Sequence, residues 1–466
     1  MNQKLRARLT RLCLLGPIAV APTIGAGETL FDGVDAASRP VMKRARQRIE
    51  EIRKGDFAIR FVGPDGAPVG GEAQVRLTRH AFQFGCNLSS VTRPASERPE
   101  LRPALDVCAE LFNLARVGNF HRHMEPRRGA PLVWDPVDRD VAWARERGMD
   151  MRFHCLIYNY HYAVPVWSDQ VKTTEEWWPL IEARIRAVAE RYGDTVGEYD
   201  VINEMIMNDR WARENNPIHP SLADPEVGAR VFRIADKYLP NATLVSLEAG
   251  LATTAETNSH FQAVYNYHKA LLDRGAPVDV IGYQGHFYAS GDTPFQEGHR
   301  AGGPGAFTMK ALEEGLDRLA TLGKPIHVTE FSPPSRNNQR KGPQPRLSDE
   351  EVAAWTVNFY TLVFSKPYAR QITRWFVIDE MGGRGMDAGL LTLAGERKPA
   401  YLALRRLLKE EWTTAWQGPL RDGAAAFRGF FGKYEARVAG YQPVRLELPP
   451  DGARNLTARL VPTPGQ

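Results

Sequence analysis

The chain has 466 residues, of which 43% are hydrophobic. This is enough for one large domain with small additions, and it excludes a globally disordered protein. The formal charge is +5, but the first 27 residues carry four basic side chains and no acid, so the remainder carries only +1. A nearly neutral chain offers no electrostatic basis for binding nucleic acid.

The amino-terminal segment predicts an export signal over residues 1–27. Four basic residues precede a short apolar run, Leu12–Ala21, and small residues follow at positions 25–27. The run is well short of the roughly 20 residues that a membrane span requires, and no later segment is long and apolar enough to be one. We therefore expect a secreted or periplasmic protein without a membrane span. A disordered basic arm is the alternative.

Cysteine content argues against a disulfide framework. Cys13 would leave with the signal, and Cys86, Cys108 and Cys155 would remain. Three cysteines form at most one disulfide, and their spacing fits no CxxC metal site. We expect buried thiols that pack as small apolar residues.

Residues 28–80 predict a helix followed by a small β region. Arg39–Lys54 has an amphipathic helical pattern rich in Arg and Glu. Asp56–Val62 and Ala73–Thr78 alternate as strands on either side of the turn Gly63–Gly66.

Residues 81–412 alternate short apolar strands with helix-length periodic segments. This rhythm predicts parallel strands joined by helices, and eight repeats predict an α/β chain closed into a (β/α)₈ TIM barrel. An open doubly wound sheet is the alternative, although no glycine-rich phosphate loop follows the first strand. The predicted strands are Ala81–Cys86, Leu114–Val117, Met151–Ile157, Glu198–Ile202, Thr243–Leu247, Val278–Tyr283, Pro325–Thr329 and Thr373–Ile378. The predicted helices include Trp177–Arg191, Asp224–Tyr238, Asn258–Leu272, Thr308–Leu322, Asp349–Phe364 and Ala400–Lys409.

Residues 413–466 again have strand patterns and predict a second small β region, which could pack against the first. Between the two β regions, glycine- and proline-rich loops follow the sixth and seventh predicted barrel strands, at Gly291–Gly305 and Ser332–Arg346. Both loops lie on the side where barrels place their active sites.

Two glutamates stand at the carboxyl ends of predicted barrel strands. Glu204 ends the fourth strand and Glu330 ends the seventh. Retaining cleavage of a glycosidic bond needs two carboxyl groups about 5–5.5 Å apart, one as general acid/base and one as nucleophile. A strand-end Glu by itself is often a capping or surface acid. The pair, with Asn203 before one and Thr329 before the other, predicts catalysis.

Six segments in the same order resemble glycoside hydrolase family 10, the endo-β-1,4-xylanases. They are Phe112–Pro126, Arg152–Tyr158 (RFHCLIY), Tyr199–Glu204 (YDVINE), Ile281–His286 (IGYQGH), Val328–Phe331 (VTEF) and Lys398–Tyr401 (KPAY). The family motifs that they resemble are F-N…E-N-x-M-K-W…E-P, R-G-H-T-L-V-W, W-D-V-V-N-E, I-G-x-Q-x-H, I-T-E-L and K-P-A-Y.

The resemblance implies a retaining enzyme that cleaves β-1,4 linkages in xylan or a related hemicellulose, with Glu204 as acid/base and Glu330 as nucleophile. It implies no cofactor. It implies that His286 keeps Glu330 ionised and that Trp375 forms a wall of the sugar site. The substrate-binding residues that it implies are Asn119, Arg122, His154, Asn203, Gln284, His286 and Trp375.

Several positions depart from the family pattern. Gly118 stands where the family has Glu, and Arg122 stands where it has a sugar-binding Lys. An arginine fork suits a carboxylate, so an acidic decoration such as glucuronate is conceivable. Tyr158–His161 replaces W-H-S-Q, with two extra residues before Pro165. The distal sugar subsites are therefore expected to differ from those of a typical xylanase.

Alternative functions stay open at this point. A relative acting on another β-glycan, or a non-catalytic carbohydrate-binding barrel, would have the same pattern. A metal site at His121 and His123 is disfavoured because no third ligand accompanies them. We expect a monomer that binds a polysaccharide or oligosaccharide.

Overall fold

The computed structural model describes residues 35–251, 259–288, 308–335, 348–379 and 386–464. The predicted signal, the loop Gly291–Gly305 and the part of the loop Ser332–Arg346 beyond residue 335 lie outside the described residues. Within those ranges no helix is both long and apolar enough to cross a membrane. The three cysteines that follow the predicted signal are buried free thiols, as expected.

The strands of the described residues are numbered in chain order. They are β1 (Lys54–Val62), β2 (Glu72–His80), β3 (Gln83–Asn87), β4 (Leu114–Val117), β5 (Asp150–Ile157), β6 (Glu198–Asn203), β7 (Thr243–Glu248), β8 (Val280–Tyr283), β9 (His286–Tyr288), β10 (Ile326–Ser335), β11 (Ala369–Arg374), β12 (Ala415–Pro419), β13 (Ala424–Phe430), β14 (Gly432–Val438), β15 (Val444–Leu448) and β16 (Asn455–Arg459).

The α-helices are numbered in the same way. They are α1 (Arg39–Ile52), α2 (Ser89–Glu97), α3 (Pro103–Leu111), α4 (His121–Met124), α5 (Asp135–Glu146), α6 (Thr174–Tyr192), α7 (Asp209–Asn215), α8 (Pro225–Tyr238), α9 (Ser259–Asp273), α10 (Met309–Ala320), α11 (Asp349–Phe364) and α12 (Pro399–Arg406).

Eight parallel strands close into a barrel, which confirms the predicted fold class. The order is β3, β4, β5, β6, β7, β8, β10 and β11, and β11 pairs with both β10 and β3 to close the ring. Strands such as β4 and β8 are buried along their whole length. Parallel strands covered on both faces require this continuous burial, and it explains their unbroken apolar runs.

The eighth barrel strand was misplaced by the sequence pattern. The prediction was Thr373–Ile378, whereas β11 spans Ala369–Arg374. Gln371 and Thr373 are buried polar residues of this strand, and the Gln371 amide donates to the Glu198 carboxylate at 3.1 Å. These polar residues interrupt the apolar run that marks the other strands. The apolar pair Val377 and Ile378 lies beyond the strand end.

The two terminal β regions pair with each other. One sheet has the order β13-β1-β16 and the other the order β12-β2-β14-β15. Phe57 of β1 contacts Phe427 and Tyr434 across the aromatic core of this unit. The regions 28–80 and 413–466, which the sequence pattern separates, thus share one folded unit.

This β unit is attached to the amino-terminal end of the barrel. The Arg53 guanidinium donates to the carbonyls of Phe364, Lys366 and Ala369 at 2.6–2.8 Å, where β11 begins. The preceding helix α1 packs on α10 and α11, and Arg48 pairs with Glu313 at 2.7 Å. Because both attachments are at the base and side of the barrel, the carboxyl ends of the strands are left to form a site.

Candidate active site

Main-chain hydrogen bonds bring the predicted catalytic residues to one end of the barrel. Glu330 donates its N–H to the Gln284 carbonyl at 2.8 Å, and Gln284 donates its own N–H to the Glu248 carbonyl at 3.2 Å. Glu204 donates to the Leu247 carbonyl at 3.1 Å. The ends of β6, β7 and β8 and the middle of β10 therefore place the two glutamates on either side of Gln284. Glu330 was predicted to end its strand, but β10 continues to Ser335, into the first residues of the predicted loop.

Glu330 is held in a buried pocket by two histidines. It is 3% exposed, and its Oε2 lies 3.0 Å from His286 Nε2. The other ring nitrogen of His286 lies 3.0 Å from the Ser332 hydroxyl, so both ring nitrogens have a partner. His154 Nδ1 lies 3.7 Å from Glu330 Oε1. His286 thus lies beside Glu330, where the resemblance implied it, and His154, which was expected to line the sugar site, contacts the same carboxylate.

A buried ion pair stands behind His154. Asp200 Oδ2 lies 2.7 Å from His154 Nδ1 and 2.6 Å from Arg152 Nη1, and Arg152 also donates to the Thr329 carbonyl at 2.6 Å. Arg152 and Asp200 are both 0% exposed. The network joins β5, β6 and β10 directly beneath Glu330.

These charges decide the protonation of the buried acids. Burial alone raises the pKa of Glu330, but the positive charge of His154, the hydrogen bond and charge of His286, and the charge of Arg152 outweigh it and lower the pKa. Burial also opposes ionisation of Asp200, and Arg152 and His154 lower its pKa in turn. Glu330 and Asp200 are ionised in the folded state and therefore stabilise it fully at pH values above the ordinary pKa of a carboxyl group. This stabilisation is lost as the pH falls through their lowered pKa values.

Removing the central cation should destabilise the chain. Arg152→Met removes the arginine partner of the buried carboxylates of Asp200 and Glu198. Each acid is left with a histidine as its basic partner, so we expect a loss of about 3–5 kcal/mol in the free energy of unfolding. The urea midpoint of unfolding is the measurement. Arg93→Met removes a partner from the exposed pair with Glu97 and should change the midpoint little. Equal midpoints for the two variants would contradict the prediction.

Glu204 is held through both of its carboxyl oxygens. Gln284 Nε2 donates to Oε1 at 2.9 Å, and the Tyr158 hydroxyl and Asn208 Nδ2 each donate to Oε2 at 2.5 Å. The backbone of Glu204 has φ +50°, a left-handed conformation that is uncommon for residues other than glycine. Surrounding contacts must therefore hold this residue at the strand end.

Glu248, at the end of β7, holds the chain just after Glu204. Its Oε2 accepts from the N–H groups of Ile206 at 2.7 Å and Met207 at 3.2 Å, and Oε1 accepts from Ala249 at 2.8 Å. Burial raises the pKa of Glu248 to about 8, the charge of Glu204 adds to the rise, and the three N–H donors oppose it. Glu248 thus fixes the turn in which Glu204 lies.

The other predicted site residues divide into two groups. Asn203 Oδ1 accepts from Gln284 Nε2 at 3.1 Å, and Trp375 makes edge contacts with His154 and His286 at 5.7 and 5.9 Å. These residues surround the two glutamates.

Asn119 and Arg122 are held by neighbouring loops instead. The Asn119 carbonyl accepts from Arg184 at 2.9 Å. Arg122 Nη1 donates to the His161 carbonyl at 3.1 Å and its N–H donates to the Ala163 carbonyl at 2.9 Å.

His121 and His123 lie in a short helix, in which residues two apart do not face the same side. Both belong to α4, and His121 Nε2 lies 2.8 Å from Glu125 Oε2. In the described part of the chain no group of three or more His, Cys, Asp or Glu could hold a metal ion.

Sequence reasoning missed five supporting residues: Tyr158, Asn208, Glu248 and the Arg152–Asp200 pair. Arg152, Tyr158 and Asp200 stand inside the motifs that were recognised, but their partners come from other elements. Only Asn208 could have been found from the sequence. It stands four residues after Glu204, a spacing that brings two side chains together across one helical turn.

A cavity of about 920 Å³ lies at the opposite, amino-terminal end of the barrel. Its lining residues include Glu198, His327, Phe82 and Phe431, and neither of the two predicted catalytic glutamates is among them. Its size therefore reflects the junction between the barrel and the β unit, while the chemistry is concentrated at the other end.

Comparison with known proteins adds independent evidence. Residues 80–406 match the family described as Glycosyl hydrolase family 10. Endo-1,4-beta-xylanase 2 of Arabidopsis thaliana is 25% identical over 445 residues, which cover 93% of this chain and 36% of the relative. Anti-sigma-I factor RsgI6 of Acetivibrio thermocellus is 25% identical over 421 residues, which cover 90% of this chain and 48% of the relative. The chain thus spans between about a third and a half of the length of these relatives.

A solved structure supports the same fold. The native xylanase 10B from Thermotoga maritima matches with a TM-score of 0.55 and 21% identity, covering 71% of this chain and 96% of that chain. At this identity the likeness is evidence for the fold alone. The family match, in contrast, covers most of the chain, so this chain belongs to glycosyl hydrolase family 10.

Proposed function

We propose that this chain is a retaining glycoside hydrolase that cleaves β-1,4 linkages in xylan or a related hemicellulose. The observation that carries the proposal is the contrast between two carboxyl groups on either side of Gln284. Glu330 is buried beside two histidines that lower its pKa, whereas Glu204 is only half-buried and is reached by neutral donors. Membership of the family, and relatives named as endo-1,4-beta-xylanases, support the same activity.

The proposed first step forms a covalent intermediate. Ionised Glu330 attacks the anomeric carbon while Glu204 gives its proton to the leaving glycosidic oxygen. His286 and His154 orient Glu330 and keep it unprotonated until attack. Asn203 lies against Gln284 at this point and is placed to bond the sugar hydroxyl next to the reacting carbon.

The second step regenerates the free carboxylate. Glu204, now ionised, takes a proton from water, and the water attacks the anomeric carbon and releases Glu330. Two inversions give net retention. The acid and the nucleophile need opposite protonation states, so we expect a bell-shaped dependence of rate on pH.

The test is hydrolysis of defined polysaccharides with product analysis. We expect xylan to be cut and the newly formed reducing end to appear first as the β anomer in proton NMR. Glucuronoxylan cut faster than unsubstituted xylan would support a carboxylate partner for Arg122. Cleavage of a β-glucan alone would replace xylan with another substrate. Binding of glycans without any turnover would leave a non-catalytic barrel and overturn the proposal.

A further inference from the structure

The two carboxyl oxygens of Glu204 have unequal surroundings. Oε1 accepts one hydrogen bond, from the Gln284 amide at 2.9 Å. Oε2 accepts two, from the Tyr158 hydroxyl and the Asn208 amide, each at 2.5 Å. A carboxyl oxygen has two lone pairs, so both acceptor positions of Oε2 are filled.

The three groups around Oε2 form a closed triangle. Asn208 Nδ2 has two hydrogens and also lies 3.0 Å from the Tyr158 hydroxyl oxygen. The amide can therefore donate to Glu204 and to Tyr158 at once. Because the Tyr158 oxygen accepts from Asn208, its single proton is left for Glu204. The Tyr162 hydroxyl, 3.0 Å from that of Tyr158, can donate to the same oxygen.

Tyr158 is held rigidly in this orientation. It is 7% exposed, its ring stacks on Tyr160 with centroids 5.9 Å apart, and it contacts Phe120 at 5.8 Å. In the motif that this segment resembles, the position of Tyr158 holds a tryptophan, which has no hydroxyl. The triangle is therefore a feature of this chain and not of the family motif.

We propose that Tyr158 and Asn208 are positioning residues that keep Glu204 Oε2 as an acceptor and direct the proton of the acid to Oε1. A proton on Oε2 would displace one of the two donors, whereas Oε1 has an acceptor position to spare. The inference rests on the proposed function, in which Glu204 is the general acid. Two donors on one oxygen also keep the carboxylate oriented when it activates water.

The other ionisable groups at this end of the barrel are the same in the wild type and in both variants. They are Tyr162 after β5, Glu248 at the end of β7, His154 in β5, His286 in β9 and Glu330 in β10. The charge of Glu204 contributes to the raised pKa of Glu248. Removing only the Tyr158 hydroxyl leaves all of these groups in place.

The test is the pH dependence of kcat/KM on xylohexaose for Tyr158→Phe and Asn208→Ala. Each variant loses a hydrogen-bond donor to the Glu204 carboxylate. The basic limb of the kcat/KM profile should therefore move to higher pH by about one unit. The plateau should fall about tenfold, because the proton is no longer confined to the productive oxygen. Tyr265→Phe removes a hydroxyl on helix α9, where it bonds Thr321 away from the site, and should leave both limb and plateau unchanged.

A second measurement does not depend on turnover. The carboxyl-carbon NMR signal of Glu204, identified by its loss in Glu204→Gln, should titrate at higher pH in Tyr158→Phe than in wild type. An unmoved basic limb together with an unmoved carbon titration would overturn the inference while leaving the proposed function intact. A wild-type chain that hydrolyses no glycan would overturn the proposed function, and the role assigned here to Tyr158 would go with it.

Discussion

Glu330→Ala should lower kcat/KM by roughly 10⁴-fold or more, because the covalent route needs this carboxylate as nucleophile. The residue is buried beside His286 and His154, which hold its carboxylate in one orientation. The measurement is steady-state hydrolysis of an aryl β-xylobioside. Removal of the side chain leaves space that azide can enter. Added azide should then restore turnover and give the α-glycosyl azide.

Wild-type protein supplies the complementary evidence. A slow 2-fluoro sugar substrate should trap a covalent adduct on Glu330, visible by mass spectrometry of the peptide that contains it. Glu350→Ala, at an exposed position near the start of α11, is the matched control and should keep full activity. An adduct on any other residue, or more than a tenth of wild-type activity in Glu330→Ala, would show that the nucleophile has been misassigned.

Glu204→Ala should have an effect that depends on the leaving group. With xylohexaose, whose leaving alcohol needs a proton, kcat/KM should fall by about 10²–10⁴-fold. With a dinitrophenyl β-xylobioside, the first step needs no acid and should stay near the wild-type rate. The second step still lacks its base, so a burst followed by slow turnover is expected.

Azide separates this role from that of the nucleophile. In Glu204→Ala it should accelerate the second step and give the β-glycosyl azide, the opposite anomer to that from Glu330→Ala. Glu214→Gln, an exposed acid on α7, is the control. Equal losses with good and poor leaving groups would mean that Glu204 supports structure and does not transfer a proton.

The support of Glu204 and Glu330 could not be inferred from local patterns. The motif YDVINE places Glu204 at a strand end. Nothing near it in sequence indicates that the Tyr158 hydroxyl, just after the neighbouring strand β5, reaches its Oε2. The same holds for Arg152, which lies in β5 and bonds the Thr329 carbonyl in β10. Such contacts depend on the register of the barrel strands, because the register decides which side chains of neighbouring strands lie at the same height along the barrel axis.

The pairing of the terminal β strands could not be inferred from local patterns either. Each terminal β region has the period-two pattern of strands, so its existence is readable from sequence. The pairing partner of each strand cannot be read from the sequence, because a strand with alternating polar and apolar residues can pair with many other strands. Only folding of the barrel brings residues 54–80 and 415–459 together to form two sheets.

Sequence alone determined the barrel, the two strand-end glutamates and most strand limits, because buried parallel strands need unbroken apolar runs and catalysis needs carboxyls where those runs end. Tertiary structure decided the eighth strand, where buried Gln371 and Thr373 broke the apolar run, and the pairing of the terminal sheets. It also decided which polar atoms meet each carboxyl. The physical reason is that periodicity records whether a residue is buried, while the hydrogen-bond partner of a buried polar group is chosen by residues distant in the chain.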